Sequence, residues 1–214
     1  MTKFIPLFPL NIVVFPGEKL NLHVFEERYR QLIGDCLKEK KPFGIVPIFK
    51  NKMAEFGTSV DIVSIEKKHE EGNLDIRTEG ISIFRVLEII KEIPDKLYSG
   101  AVVSYPDNVT SCIHSRMKLI LEETKRFHQL LEVNKNYKKE EAEMSSYDIG
   151  HYIGMSIEEE YYLLTLMSES ERQEYVLRHL SKTIPTIVEL QKLKERIQLN
   201  GHFRKLSVNE DEST

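Results

Sequence analysis

The chain lacks any run of about 18 apolar residues, and its start has no basic stretch leading into a long apolar segment and a small-residue cleavage site. Neither a membrane span nor a secretory leader is expected, which makes the cytoplasm the expected compartment. Cysteine is scarce. Cys36 and Cys112 lie far apart and form no Cys-x-x-Cys pair, so a disulfide framework or zinc ribbon is not expected, and both read as small buried hydrophobes. Positive charge is also short: 30 basic against 34 acidic side chains leave a net charge of −4, and no overall basic field exists to hold a nucleic-acid backbone.

Catalytic signatures are missing as well. No Gly-x-x-x-x-Gly-Lys-Ser/Thr phosphate loop occurs. The seven histidines, at 23, 69, 114, 128, 151, 179 and 202, make no His-x-x-x-His or Glu-x-x-His pattern with a matching third ligand, and His23 reads as a strand-surface histidine. Gly80-Ile81-Ser82 begins like a nucleophile elbow, but Phe84 stands where the closing glycine is required. The sequence therefore points to no catalytic residue, no metal ligand and no cofactor.

What is present is a soluble globular composition, 41% hydrophobic and 30% charged over 214 residues, enough for one compound domain or two small ones. From Phe4 to Tyr105 the pattern is mostly period two, with turn residues every ten or so positions, as in a small β structure. Leu74, Ile76 and Thr78 alternate with Asp75, Arg77 and Glu79 after a Glu71-Gly72-Asn73 turn, predicting a hairpin with a Val60–Ile65 strand. Ile81, Ile83 and Phe84 begin a further strand that Pro94-Asp95 ends. One helix is expected inside this region, over about Glu26–Lys38, with Phe25, Tyr29, Leu32, Ile33 and Cys36 on its apolar face.

After Asp107 the period becomes 3.6, and Ile113, Met117, Ile120, Leu121, Thr124, Phe127 and Leu131 predict a helix over about Ser111–Leu131. Residues Asn134–Glu143 read as an exposed loop. Ser145, Ser156 and Ser168 each precede an acidic residue at capping-box spacing, predicting three consecutive short helices. Gly150 and Gly154 suggest close helix packing within a bundle. Pro185 is expected to kink or break the last helix before Ile187, Leu190, Leu193 and Ile197 resume it, and the polar tail beyond Gly201 is expected not to pack.

Three blocks carry a family resemblance: Pro6-Leu7-Phe8-Pro9-Leu10, Val14-Phe15-Pro16-Gly17 and His23-Val24-Phe25-Glu26-Glu27-Arg28-Tyr29. Phe43-Gly44-Ile45-Val46, Phe56-Gly57-Thr58, the segment from Gly80 to Val86 and the strand from Tyr98 to Val103 follow in the same order. Over about residues 4–197 the chain resembles the Lon-type substrate-binding domain, the module that begins ATP-dependent Lon proteases and also occurs as a free-standing protein. One departure is Ile83, where the family usually has arginine before phenylalanine. The resemblance implies an α+β fold: a β-rich, PUA-like pseudobarrel with one inserted helix over 1–107, a helical bundle over 108–200, and a flexible tail over 201–214. It also implies a recognition module without the ATPase motor or the Ser-Lys protease.

The expected function is non-catalytic polypeptide binding, with unfolded or degron-bearing polypeptides as partners, alongside a separate protease or chaperone, and no membrane. Two rivals stand beside it: a nucleic-acid-binding PUA-like module, disfavoured by charge, and an enzyme using a cleft between barrel and bundle. Two surfaces are candidates for the polypeptide. Phe49, Met53 and Phe56 surround the polar Lys50-Asn51-Lys52 connection, as adaptable apolar groups on a loop would. Glu27, Arg30, Gln31 and Lys38 form the polar face of the inserted helix.

Overall fold

A computed structural model describes the backbone of residues 2–135, 137 and 139–208, with side chains described through residue 197. The chain divides into two compact units, one of residues 1–112 and 145–172, the other of residues 113–144 and 173–214.

The first unit is built on β1 (Thr2–Leu10), β2 (Lys19–Val24), α1 (Glu27–Glu39), β3 (Phe43–Phe49), β4 (Lys52–Met53), β5 (Phe56–Lys68), β6 (Leu74–Ile90) and β7 (Gly100–Ser104). The strand order β1-β7-β6-β5-β3 is closed by a parallel pairing of β1 with β3, Leu7 opposite Gly44, so the strands make a barrel. Closure removes the sheet edge along Leu7–Leu10, which would otherwise need covering. β2 adds to β6, Lys19 opposite Glu79 through Val24 opposite Leu74.

β6 is one strand of 17 residues, where the alternation suggested two. It runs unbroken through Gly80 because that glycine lets another segment approach. The Gly17 N–H donates to the Gly80 carbonyl at 2.8 Å, the Gly80 N–H donates to the Glu18 carbonyl at 2.9 Å, and a Cβ on Gly80 would stand 2.3 Å from the Phe15 carbonyl oxygen. Register shifts in β5 and β6 absorb the curvature.

α1 covers one end of the barrel. Tyr29, Leu32, Ile33 and Cys36 are buried at the expected three-and-four spacing and join Phe8, Val14, Phe43, Ile45 and Ile76 in the main core. Phe25 does not belong to that face. It precedes the helix, is 61% exposed, and lies beside His23 with ring centroids 6.0 Å apart. A second core holds Ile5, Leu7, Val46, Phe84, Ala101 and Val103. Ile83 is 2% exposed, so the position at which the family arginine is missing is filled by a packed apolar side chain.

The boundary expected near residue 107 is not where the units divide, since residues 145–172 group with the strands. The reason is burial: Tyr147, Ile149, Ile153, Leu163 and Leu164 are all at most 7% exposed, and Tyr147 stacks on Phe15 at 5.1 Å. Gly150 is closely packed, though against Phe15 and Leu163 rather than within a helical bundle. Of the three serine caps, Ser145 opens a single 3-10 turn at Ser146–Asp148, and Ser156 opens α3 (Ile157–Thr165) with a complete capping box. Ser168 precedes α4 (Glu169–Val208), a helix of 40 residues.

In the second unit, α2 (His114–Leu130) buries Met117, Ile120, Leu121, Thr124 and Phe127. Gln173 in α4 bonds the backbone of Ile113 at the start of α2, and Gln191 donates to the Leu130 carbonyl at its end, so the two helices run side by side in the same direction. α4 passes through Pro185 without interruption. Val176, Leu180 and Ile184 are buried while Pro185 is exposed, so the carbonyl that loses its partner lies on the solvent side. The helix extends through Val208 into the segment expected to be a flexible tail; residues 209–214 lie outside the described residues. Among the described residues no helix is long and apolar enough to cross a membrane.

Candidate functional site

The β3–β4 connection is a tight hairpin. Phe49 pairs with Lys52, and Lys50 and Asn51 both take positive φ (48° and 63°), as a two-residue type I′ turn requires. Its apolar residues are half-buried rather than free. The Phe49 ring meets Tyr161 of α3 edge-on at 5.2 Å, and the Phe56 N–H donates to the Tyr161 hydroxyl at 3.1 Å. Met53 packs against the core around Leu7 and Phe84, and Arg85 sits 5.9 Å from the Phe56 ring while donating to Glu55. Burial pushes the Tyr161 hydroxyl above its ordinary pKa, which keeps it neutral as acceptor.

On the polar side of α1, two of the four candidate residues hold neighbouring loops. Arg30 donates to the Glu71 carbonyl at 2.8 Å. Gln31 donates to the Asp95 carbonyl at 2.9 Å and accepts from the Leu97 N–H at 2.7 Å. Glu27 and Lys38 are exposed. Arg28 pairs with Glu26 at 2.7 Å and lies 4.5 Å from the Tyr29 ring.

A third place has no counterpart in the sequence reading. A cavity of about 530 Å³ opens between the start of β1, the C-terminal half of α1 and the segment from Ile93 to Tyr98. Phe4, Ile5, Pro6, Ile93, Tyr98 and Tyr105 give it apolar and aromatic walls, and Lys3, Asp35, Glu39, Lys41 and Lys96 give it a charged rim. Phe4 is 51% exposed, the sort of accessible aromatic a binding site requires. β1 pairs with β7 from Thr2 to Pro6, whereas its pairing with β3 begins only at Leu7, so the first five residues of the strand are paired on one side among the described residues.

Asp35 organises the rim by accepting from Lys96 at 2.8 Å and from the Tyr98 hydroxyl at 2.7 Å. The bond from Lys96, opposed by burial and aided by Tyr98, holds the Asp35 carboxyl below the usual carboxylate range. Burial first, then Asp35, raises the Tyr98 phenol, and burial pushes the Cys36 thiol up to about 12. A thiol so placed stays protonated at neutral pH and is no nucleophile. The lining comes from β1, the end of α1, the Ile93–Tyr98 segment and Tyr105, stretches far apart in sequence, so no local spacing could have revealed the cavity.

The structure also brings together residues that no sequence pattern linked. His23, His69 and Asp75 offer ligand atoms within 4.8 Å of one another, the only such group found among the described residues.

Comparison with known proteins agrees with this architecture. A stretch of 118 residues, 51% of this chain, is 30% identical to Lon protease 2 of Myxococcus xanthus, and it spans 14% of that protein's length. The crystal structure of a Lon N-terminal domain protein from Xanthomonas campestris superposes with a TM-score of 0.62 at 26% identity, covering 82% of this chain and 98% of that one. The N-terminal domain of a Mycobacterium avium complex Lon protease shares the fold, with a TM-score of 0.61 at 15% identity over 84% of this chain and 98% of the other. The family model for the ATP-dependent protease La (LON) substrate-binding domain matches residues 5–182, and the chain belongs to that family.

Proposed function

We propose that this chain is a non-catalytic polypeptide-recognition module whose principal binding site is the cavity beside β1. The observation that carries the reading is the pairing of an apolar, aromatic-walled cavity of about 530 Å³ with a strand segment paired on one side. Pockets of roughly 300–1,000 Å³ suit a ligand group of one or a few side chains. An extended polypeptide could add main-chain hydrogen bonds along β1 while an apolar side chain enters between Phe4 and Tyr98, the recognition mode known as strand addition. Alternating Lys and Asp or Glu groups around the mouth would tolerate many flanking sequences. This breadth suits unfolded or degron-bearing clients delivered to a separate protease or chaperone.

The two surfaces suggested by sequence remain candidates of the same proposal: Phe49, Met53 and Phe56 on the hairpin, and Glu27, Arg30, Gln31 and Lys38 on α1. Their anchoring contacts favour the cavity over them. Fluorescence anisotropy with labelled, unfolded casein separates the three. Phe4→Ser should weaken binding at least tenfold, and Phe49→Ser with Phe56→Ser or Arg30→Glu with Lys38→Glu should change it less. If Phe4→Ser binds as tightly as the parent while a hairpin or helix variant loses binding, the cavity is not the site. If the parent itself shows no saturable binding, the polypeptide reading fails.

A further inference from the structure

We propose that His23, His69 and Asp75 form a binding site for a first-row transition cation of the zinc class, independent of the polypeptide site. His23 lies on β2 directly opposite Asp75 on β6, and His69 follows the end of β5 at the turn that leads into β6. The Asp75 carboxylate sits between the two rings. Its Oδ1 is 2.6 Å from His23 Nδ1 and its Oδ2 is 2.8 Å from His69 Nε2.

Three observations favour a cation over a simple hydrogen-bonded trio. First, the geometry is close to what the metal needs: tetrahedral zinc with bonds of about 2.0–2.2 Å sets its ligand atoms roughly 3.3–3.6 Å apart. The ligand atoms here are all within 4.8 Å, so a central cation needs side-chain adjustments of about an ångström and no change of strand register. Second, both imidazoles turn a ring nitrogen to the same carboxylate, and a cation could replace the protons that now make those contacts. Third, the site is oriented from outside itself. The His23 ring lies 6.0 Å from that of Phe25, and the turn bearing His69 is closed by His69 N–H to the Asn73 carbonyl at 2.9 Å and held by Arg30 on the Glu71 carbonyl. The turn that carries His69 is therefore held in place by contacts outside the ligand set.

Two imidazoles with one carboxylate suit zinc, copper or nickel, whereas magnesium and calcium prefer oxygen alone. Side-chain exposures of 54%, 30% and 36% for His23, His69 and Asp75 leave the fourth position open to water or to a donor from a partner. The cation would fasten β2, the end of β5 and β6 together.

The test uses the full chain without an affinity tag, stripped by chelator and dialysed against zinc chloride in excess magnesium. One zinc per chain is expected, with His69→Ala and Asp75→Asn each weakening uptake at least tenfold while circular dichroism stays unchanged. Zinc should raise the melting temperature of the parent and leave that of Asp75→Asn where it was, because binding to the folded state alone stabilises it. The site is overturned if the parent takes up no stoichiometric zinc. It is overturned equally if folded His69→Ala and Asp75→Asn bind zinc as the parent does, or if uptake is lost with Cys112→Ser instead.

Discussion

Glu18 and His151, 133 residues apart in sequence, meet at 3.1 Å within the barrel unit. The same Glu18 oxygen accepts the Phe15 N–H at 2.8 Å, and the other ring nitrogen of His151 reaches Glu160 at 2.8 Å. The Val14–Gly17 motif is thereby joined to the turn that carries Gly150 and to α3. Burial alone would lower the imidazole pKa, but hydrogen bonds to Glu160 and Glu18 override it and raise His151 to about 10.

Stability should therefore fall as pH rises across the window from about 6.5 to about 10. Below its ordinary value the imidazole is protonated in both states and the full contribution is present. As pH climbs, the unfolded chain releases its proton first, and the advantage disappears as the folded-state value is passed. Urea midpoints of the parent and of His151→Gln, taken at intervals across that window, should converge with rising pH. A gap that stays constant or widens would show that the Glu18–His151–Glu160 contact is not a protonated bridge.

Tyr29 stacks on Phe8 with ring centroids 4.0 Å apart and planes 13° from parallel, and it is 8% exposed. Tyr29→Ala should lose about 3 to 5 kcal/mol in denaturant melts, since the space left between α1 and the barrel cannot close without moving the helix. A loss below about half a kilocalorie would mean that the stack contributes little to the core.

Arg172 and Glu169 are a fully buried ion pair at 2.8 Å. The carboxylate also holds the Ser146 N–H and hydroxyl, while the guanidinium holds Asn108 and the Leu166 and Val109 carbonyls. Arg172→Met should cost roughly 3 to 5 kcal/mol because Glu169 is left charged without its cation. Adding Glu169→Gln should restore part of that loss. If the double variant melts below Arg172→Met, the carboxylate's bonds to Ser146 outweigh its stranded charge.

No ATPase or peptidase activity is expected from the purified chain, which has no phosphate loop and whose buried thiol at Cys36 is held protonated. Incubation with ATP, and separately with unfolded casein, provides the check. Turnover that follows the protein peak through purification would replace recognition with catalysis.

The period of α1 was legible because its buried face is local: Tyr29, Leu32, Ile33 and Cys36 announce themselves by spacing alone. Phe25 was misplaced on that face because hydrophobicity does not tell where a helix begins, and α1 starts only at Glu27. The hairpin of β5 and β6 was legible from its turn, but the continuity of β6 was not, since Gly80 interrupts an alternation for the sake of a neighbour more than 60 residues earlier. In residues 145–172 the cap at Ser156 was legible, but nothing told which unit the segment would join, a matter decided by Phe15 packing over Gly150 and against Tyr147. The candidate sites followed the same rule. Phe49, Met53 and Phe56 could be nominated because they are close in sequence, whereas the cavity beside β1 and the meeting of His23 with His69 and Asp75 depend on pairings between segments far apart in sequence.

That closed barrel also orders events in time. β1 leaves the ribosome before the other strands of the barrel, yet Leu7 must wait for Gly44, and Thr2 for Ser104. A nascent chain halted before β7 thus holds an apolar first strand with no antiparallel partner. Contacts so distant in sequence close slowly, because the intervening loop must be ordered before they form. During synthesis the barrel's own first strand is thus an unpaired strand in search of cover.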